Sequence, residues 1–174
     1  MKHKSFLAST LLAAMMLPMA ANSQNIAKDD TELFESLSFV QSRLTRLKNK
    51  DSTWTPGDIK LLRRDRWEWT EIIDEPGIIL SEGKLEEYKV NPTDLSIPVD
   101  VKGKAVILEC RIEKCISVQV TTYVGLVTQN PERMKRFSEQ RHGNQWWFAT
   151  EDDARRVASA LTLALSKLGA KQKY

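Results

Sequence analysis

Few residues in this chain are suited to covalent or acid–base chemistry. The two cysteines of the 174-residue sequence, Cys110 and Cys115, stand in LECRIEKCISV. A C-x4-C spacing without a second pair is a poor zinc signature, and redox pairs more typically use C-x-x-C. Strand-like residues flank both, so the spacing predicts a hairpin joined by Arg111 to Lys114, its register fixed by a Cys110–Cys115 disulfide. His142 lies in a polar stretch beside Arg141 and Gly143. A Ser–His–Asp relay needs a shielded, oriented base, so His142 reads as a surface residue. Glu86 and Glu87 are neighbours on a predicted strand and point to opposite faces, so they cannot act as a pair. Asp152 and Asp153 fall in the first turn of a helix, where capping and the dipole account for them. No glycine-rich phosphate loop is present. These patterns predict no catalytic residue, no metal site, no cofactor and no enzyme.

Binding chemistry has more to draw on. Lys60, Arg63, Arg64 and Arg66 form one basic cluster, and Arg133, Lys135, Arg136 and Arg141 a second. Brought together, they would suit an anionic lipid or polysaccharide; scattered among Asp65, Glu132 and Glu139, they would only solubilise the surface. Five tryptophans are many for this length, and tryptophan anchors binding sites. In the pair Trp146-Trp147, strand alternation turns one ring inward and the other outward, and the outward ring is the leading contact residue. A deep pocket with perturbed titratable groups would favour an enzyme, and an exposed Trp–Arg patch a binding role.

The elements that must position these residues are legible in the periodicity. Lys2 and Lys4 precede an apolar run from Leu7 to Leu17, Pro18 breaks it, and Ala21 and Ser23 are small. This predicts a secretory signal peptide at 1–23, too short to span a bilayer, followed by a flexible leader at 24–30. Its removal takes two of the 26 basic and none of the 23 acidic residues. The remaining near-neutral chain gives no argument for nucleic acid. Export also places the cysteines where disulfides form.

Asp29, Asp30 and Thr31 offer N-caps for a helix whose apolar face is Leu33, Phe34, Leu37, Val40, Leu44 and Leu47. Thr55 to Asp58 reads as a turn. DRWEWTEII, KLEEYKV, KAVILECRI, CISVQVTTYVGLV and WWFA read as strands, DLSIPVDV as a short irregular one, and 129–145 as a long polar loop or short helical turn. Thr150 and Asp153 approximate a capping box for a second helix, with Gly169 past its end. The order is helix, six or seven strands, helix, in one domain from 31 to 174. The absence of βαβ alternation disfavours a parallel sheet.

An antiparallel run closed by WWFATEDDARRVASALTLALSKLG resembles exported bacterial proteins of pleckstrin-homology-like fold, in which an amphipathic helix such as ELFESLSFVQSRLTRL precedes the sheet. The resemblance implies an α+β fold: an antiparallel PH-like sandwich or barrel with an N-terminal amphipathic helix and a C-terminal capping helix. It also implies a non-enzymatic role and transfers no site residue. The expectation is a periplasmic or secreted binding module of the cell envelope. Its partner would be an envelope protein, an anionic lipid or a polysaccharide. The alternatives are an accessory or inhibitor protein using the Trp and Arg residues, or a hydrolase with an unrecognised site.

Overall fold

The structure, a computed structural model, describes residues 30–47, 54–75, 82–124 and 134–173. The signal-peptide and leader readings over 1–29, and Arg133, lie outside the described residues.

Helix α1 spans Thr31–Thr45 and α2 spans Glu151–Leu168. The α1 face Leu33, Leu37, Val40 and Leu44 is buried, as its spacing requires. On α2 the buried face is Ala154, Val157, Ala158, Leu161, Ala164 and Leu165. The two helices pack antiparallel, since Arg43 meets Asp153 at 3.3 Å and Lys167 meets Glu32 at 2.7 Å. Thr150 Oγ1 accepts from the Asp153 N–H at 3.1 Å, and Gly169 adopts the left-handed conformation at φ 95° that ends the helix. Asp30 is the N-cap of α1 by position, yet its carboxylate turns to Arg64 at 3.2 Å instead of capping.

The strands are β1 (Trp54–Lys60), β2 (Trp67–Glu75), β3 (Glu82–Val90), β4 (Ser96–Ile97), β5 (Asp100–Lys102), β6 (Ala105–Glu109), β7 (Ile116–Val124), β8 (Lys135–Arg141), β9 (Gly143–Trp147) and β10 (Lys171–Gln172). They form an antiparallel sheet in the order β1-β2-β3-β7-β8, another in the order β5-β6-β9, and a short parallel pair β10-β4. The fold is therefore α+β and mostly antiparallel. The sheets do not close into a barrel among the described residues.

Three sequence expectations are corrected. Thr55 to Asp58 belongs to β1, with an irregularity between Pro56 and Ile59; an edge strand tolerates the proline that suggested a turn. The polar stretch expected as a loop over 129–145 supplies β8 and most of β9. Its alternation is hidden because β8 is an edge strand that, Phe137 apart, is polar on both faces.

The third correction concerns the cysteines. They form a disulfide with Cα atoms 5.6 Å apart, but not across a β-hairpin. β6 pairs with β9 and β7 with β8, so β6 and β7 do not pair with each other. Ile116 lies opposite Arg141, and Glu109 opposite Gly143. Residues 110–115 thus stand opposite the single residue His142. The disulfide clips the neck of this excursion, where the chain passes from one sheet to the other. Such bulges are how strands turn a corner between sheets. The Cys110 N–H donates to the His142 carbonyl at 2.7 Å, and the Arg111 N–H to the Asp94 carbonyl at 2.8 Å, which fixes the excursion on both sides.

Candidate functional site

Where the two sheets meet, the inner face of the larger one changes from apolar to polar. In the β2–β3 register Trp67 opposes Val90, Trp69 opposes Tyr88 and Glu71 opposes Glu86. Opposed residues of an antiparallel pair share a face. Alternation therefore carries Glu71 and Glu86 inward with the tryptophans, and they are only 3% and 5% exposed. Two carboxylates placed side by side in the interior need compensation.

Arg141, at the end of β8, provides it. Its Nη1 and Nη2 donate to the two oxygens of Glu86 at 2.8 and 2.9 Å. Nε donates to Glu139 Oε1 at 2.6 Å, and Nη2 also reaches that oxygen at 2.5 Å. Nη1 donates to Tyr88 Oη at 2.8 Å. Nε, Nη1 (twice) and Nη2 thus donate hydrogen bonds, and Nη2 also stands in the ion pair with Glu139. Bidentate pairing of this kind is the strong form of the interaction. The Tyr88 hydroxyl donates to Glu86 Oε2 and stands 3.2 Å from Glu71 Oε2; its one proton can serve only one of them at a time. Glu71 Oε1 accepts from Trp69 Nε1 at 2.9 Å and from Asn144 Nδ2 at 2.7 Å. Asn144 belongs to β9, so this bond ties the smaller sheet to the larger. Trp69 stacks on Tyr88 at 4.8 Å and meets the edge of Trp146 at 5.3 Å.

The titration of the cluster follows from these contacts. Burial acts to raise the Glu86 carboxyl, but the bonds from Arg141 and Tyr88 outweigh it and hold it below its ordinary value. Burial first, then the charge of Glu71 and the bond to Glu86, push the Tyr88 phenol well up. The bond to Glu86 pushes Arg141 up against an opposing effect of burial. Every one of these shifts deepens the resting charge state.

Beside the cluster lies an open cleft of about 620 Å³. Glu71, Glu86, Tyr88 and Arg141 line one side, and β6 residues 107–109 with Cys110 another. Ile112, at the tip of the clipped excursion and 74% exposed, forms part of the rim with Trp147, 56% exposed. The β9 residues Gly143, Asn144 and Gln145 and the tail residue Lys173 complete it; Lys173 is held by Glu109 at 2.6 Å.

No family model, curated protein or solved structure matches this chain.

The structure separates the residues singled out from sequence. Trp146 is the inward ring, 1% exposed, and Trp147 the outward one, at the cleft. Arg141 lines the cleft but is committed to Glu86, Glu139 and Tyr88. Lys135 and Arg136 are exposed and form no ion pair among the described residues; as strand neighbours they point to opposite faces. The other basic cluster is matched acid for base: Lys60 with Asp58, Arg63 with Asp65, Arg64 with Asp30 and Arg66 with Glu68. His142 is exposed at the cleft, and its backbone carbonyl receives Cys110.

Sequence reasoning missed Glu71 and Glu86 as a unit. A signal was present, since both stand on the apolar face of their strands: Glu71 in line with Trp67 and Trp69, Glu86 with Tyr88 and Val90. What joins them is register across two strands, which no local pattern contains.

Proposed function

We propose that this protein is an exported, non-enzymatic binding module of the bacterial cell envelope, with the corner cleft as its ligand site and Trp147 as its principal contact. The observation that carries the reading is an exposed indole on the rim of a cleft in which Glu86 is paired with Arg141 and Glu109 with Lys173. An indole left half in water at a concave site is a usual feature of binding surfaces.

Against a hydrolase built on Glu86, Tyr88 or Arg141 stands the direction of their titration shifts. Acid–base catalysis needs a group brought toward neutral pH. Here a carboxyl is held low and a phenol and a guanidinium are held high. Arg141 is already committed to Glu86, Glu139 and Tyr88, which counts against anionic lipid or polysaccharide at this cleft. The Cys110–Cys115 disulfide suits a periplasmic or secreted location. Among the described residues no helix is long and apolar enough to cross a membrane. The PH-like reading of the fold belongs to this proposal too; it is supported by the antiparallel sheets followed by α2. A role as an accessory or inhibitor protein is the second reading, favoured by the β9 strand edge that borders the cleft.

The test is cosedimentation of the protein with a bacterial envelope fraction. Trp147→Ala should reduce the bound fraction by about tenfold, an ordinary loss for a hot-spot tryptophan. Unchanged binding by a folded Trp147→Ala variant refutes the reading.

A further inference from the structure

β9 is an edge strand, the last in the order β5-β6-β9. Two hydrogen bonds fix which of its main-chain groups are used. The His142 carbonyl accepts from the Cys110 N–H at 2.7 Å, and the Phe148 N–H donates to the Lys104 carbonyl at 2.9 Å. His142, Asn144, Trp146 and Phe148 therefore turn their main chain toward β6. Main-chain groups alternate in direction along a strand. Those of Gly143, Gln145 and Trp147 turn the other way and form no hydrogen bond with a described residue. These three residues also line the cleft.

Sheet edges are normally protected by charge, proline or a cover. The other edges of the two larger sheets follow that rule. β1 carries Pro56, Asp58 and Lys60; β5 carries Asp100 and Lys102; β8 carries Lys135, Arg136, Glu139 and Arg141. β9 is GNQWW, with neither charge nor proline. An uncharged edge with outward amides, opening on a cleft that has the exposed Trp147 and Ile112 at its rim, has the form of a strand-addition site.

We propose that the open edge of β9 binds an extended segment of a partner polypeptide, which adds as a fourth strand to the β5-β6-β9 sheet. The Gly143, Gln145 and Trp147 amides and carbonyls pair with the segment's backbone. Its alternate side chains enter the cleft. They are uncharged, because Glu86 with Arg141 and Glu109 with Lys173 are already paired, and apolar where they meet the exposed Trp147 and Ile112. This inference rests on the binding-module reading and names its ligand class.

The probe is an array of random twelve-residue peptides, screened with the whole protein. Gln145→Pro removes one outward N–H at an exposed edge position, where proline is tolerated. Gln145→Ala keeps that N–H. Selected peptides should lose at least about tenfold in affinity to Gln145→Pro and on N-methylation of alternate peptide amides, and Gln145→Pro should cost clearly more than Gln145→Ala, which keeps the outward N–H. Amide exchange at 143, 145 and 147 should slow when the peptide is bound. The proposal is overturned if the array yields no peptide, or if the selected peptides tolerate both N-methylation and Gln145→Pro. A self-association of the free protein that Gln145→Pro abolishes would assign the edge to a second copy and overturn it as well. In each of these cases a loss of envelope binding by Trp147→Ala would still stand, so the two readings fail separately.

Discussion

Replacing Arg141 by methionine keeps an unbranched apolar stem and removes the guanidinium. Glu86, 5% exposed, then keeps only the Tyr88 hydroxyl, with Glu71 directly opposite in the register. Breaking a buried pair from one side costs about 3–5 kcal/mol. The Arg141 side chain is 30% exposed, so solvent screens part of the loss, and about 2–3 kcal/mol is expected at pH 7. The pH dependence is the sharper test. In the native protein the Glu86 carboxyl lies below its ordinary value of 4.5. Its stabilisation is therefore present above that value and lost as pH falls through the lower, folded one. In the Arg141→Met protein the opposing effect of burial is no longer outweighed, and the carboxyl rises. The variant then regains stability relative to the native protein as pH falls from neutral into the acid range. Urea denaturation from pH 7 to pH 4 measures this directly. The double variant Arg141→Met, Glu86→Gln should recover at least about 1 kcal/mol of the loss, as expected for residues in one network. A deficit below about 1 kcal/mol that is constant with pH, or strict additivity in the double variant, would refute the account.

Two further outcomes follow from the corner. Cys110→Ser with Cys115→Ser opens a closed loop of six residues and should cost about 2 kcal/mol by chain entropy, read by urea denaturation; because the excursion carries Ile112, the peptides selected on the array should also bind more weakly. At Gly143 an added Cβ would overlap the Leu108 carbonyl oxygen, so Gly143→Ala should separate β9 from β6 and lower stability by about 1–3 kcal/mol in a thermal melt, whereas Gln145→Ala beside it should be nearly neutral.

The readings that the structure bears out from sequence are those carried within one element. The α1 and α2 faces follow from a 3.6-residue period, and Thr150 and Gly169 mark the ends of α2 by their own conformational chemistry. Alternation is enough to send one ring of the Trp146-Trp147 pair inward and the other outward, and the structure makes Trp146 the inward one. Cys110 and Cys115 pair with each other, as the one pair the sequence allows. Two local readings were displaced by tertiary position. Pro56 survives in β1 because that strand lies at an edge, and β8 is a strand although its composition reads as loop.

Everything about the site belongs to tertiary structure. Glu71 and Glu86 are fifteen positions apart and become neighbours only through the β2–β3 register; Arg141 of β8 reaches Glu86 of β3 across the intervening β7. The cysteine spacing fitted a four-residue hairpin connection equally well, and only the pairing of β6 with β9 and β7 with β8 decides against it. A sequence fixes which groups each strand can present on a face. Which strand lies beside it, and in what register, is set by the fit of both sheets and both helices around one core, and that sum is not written in any segment.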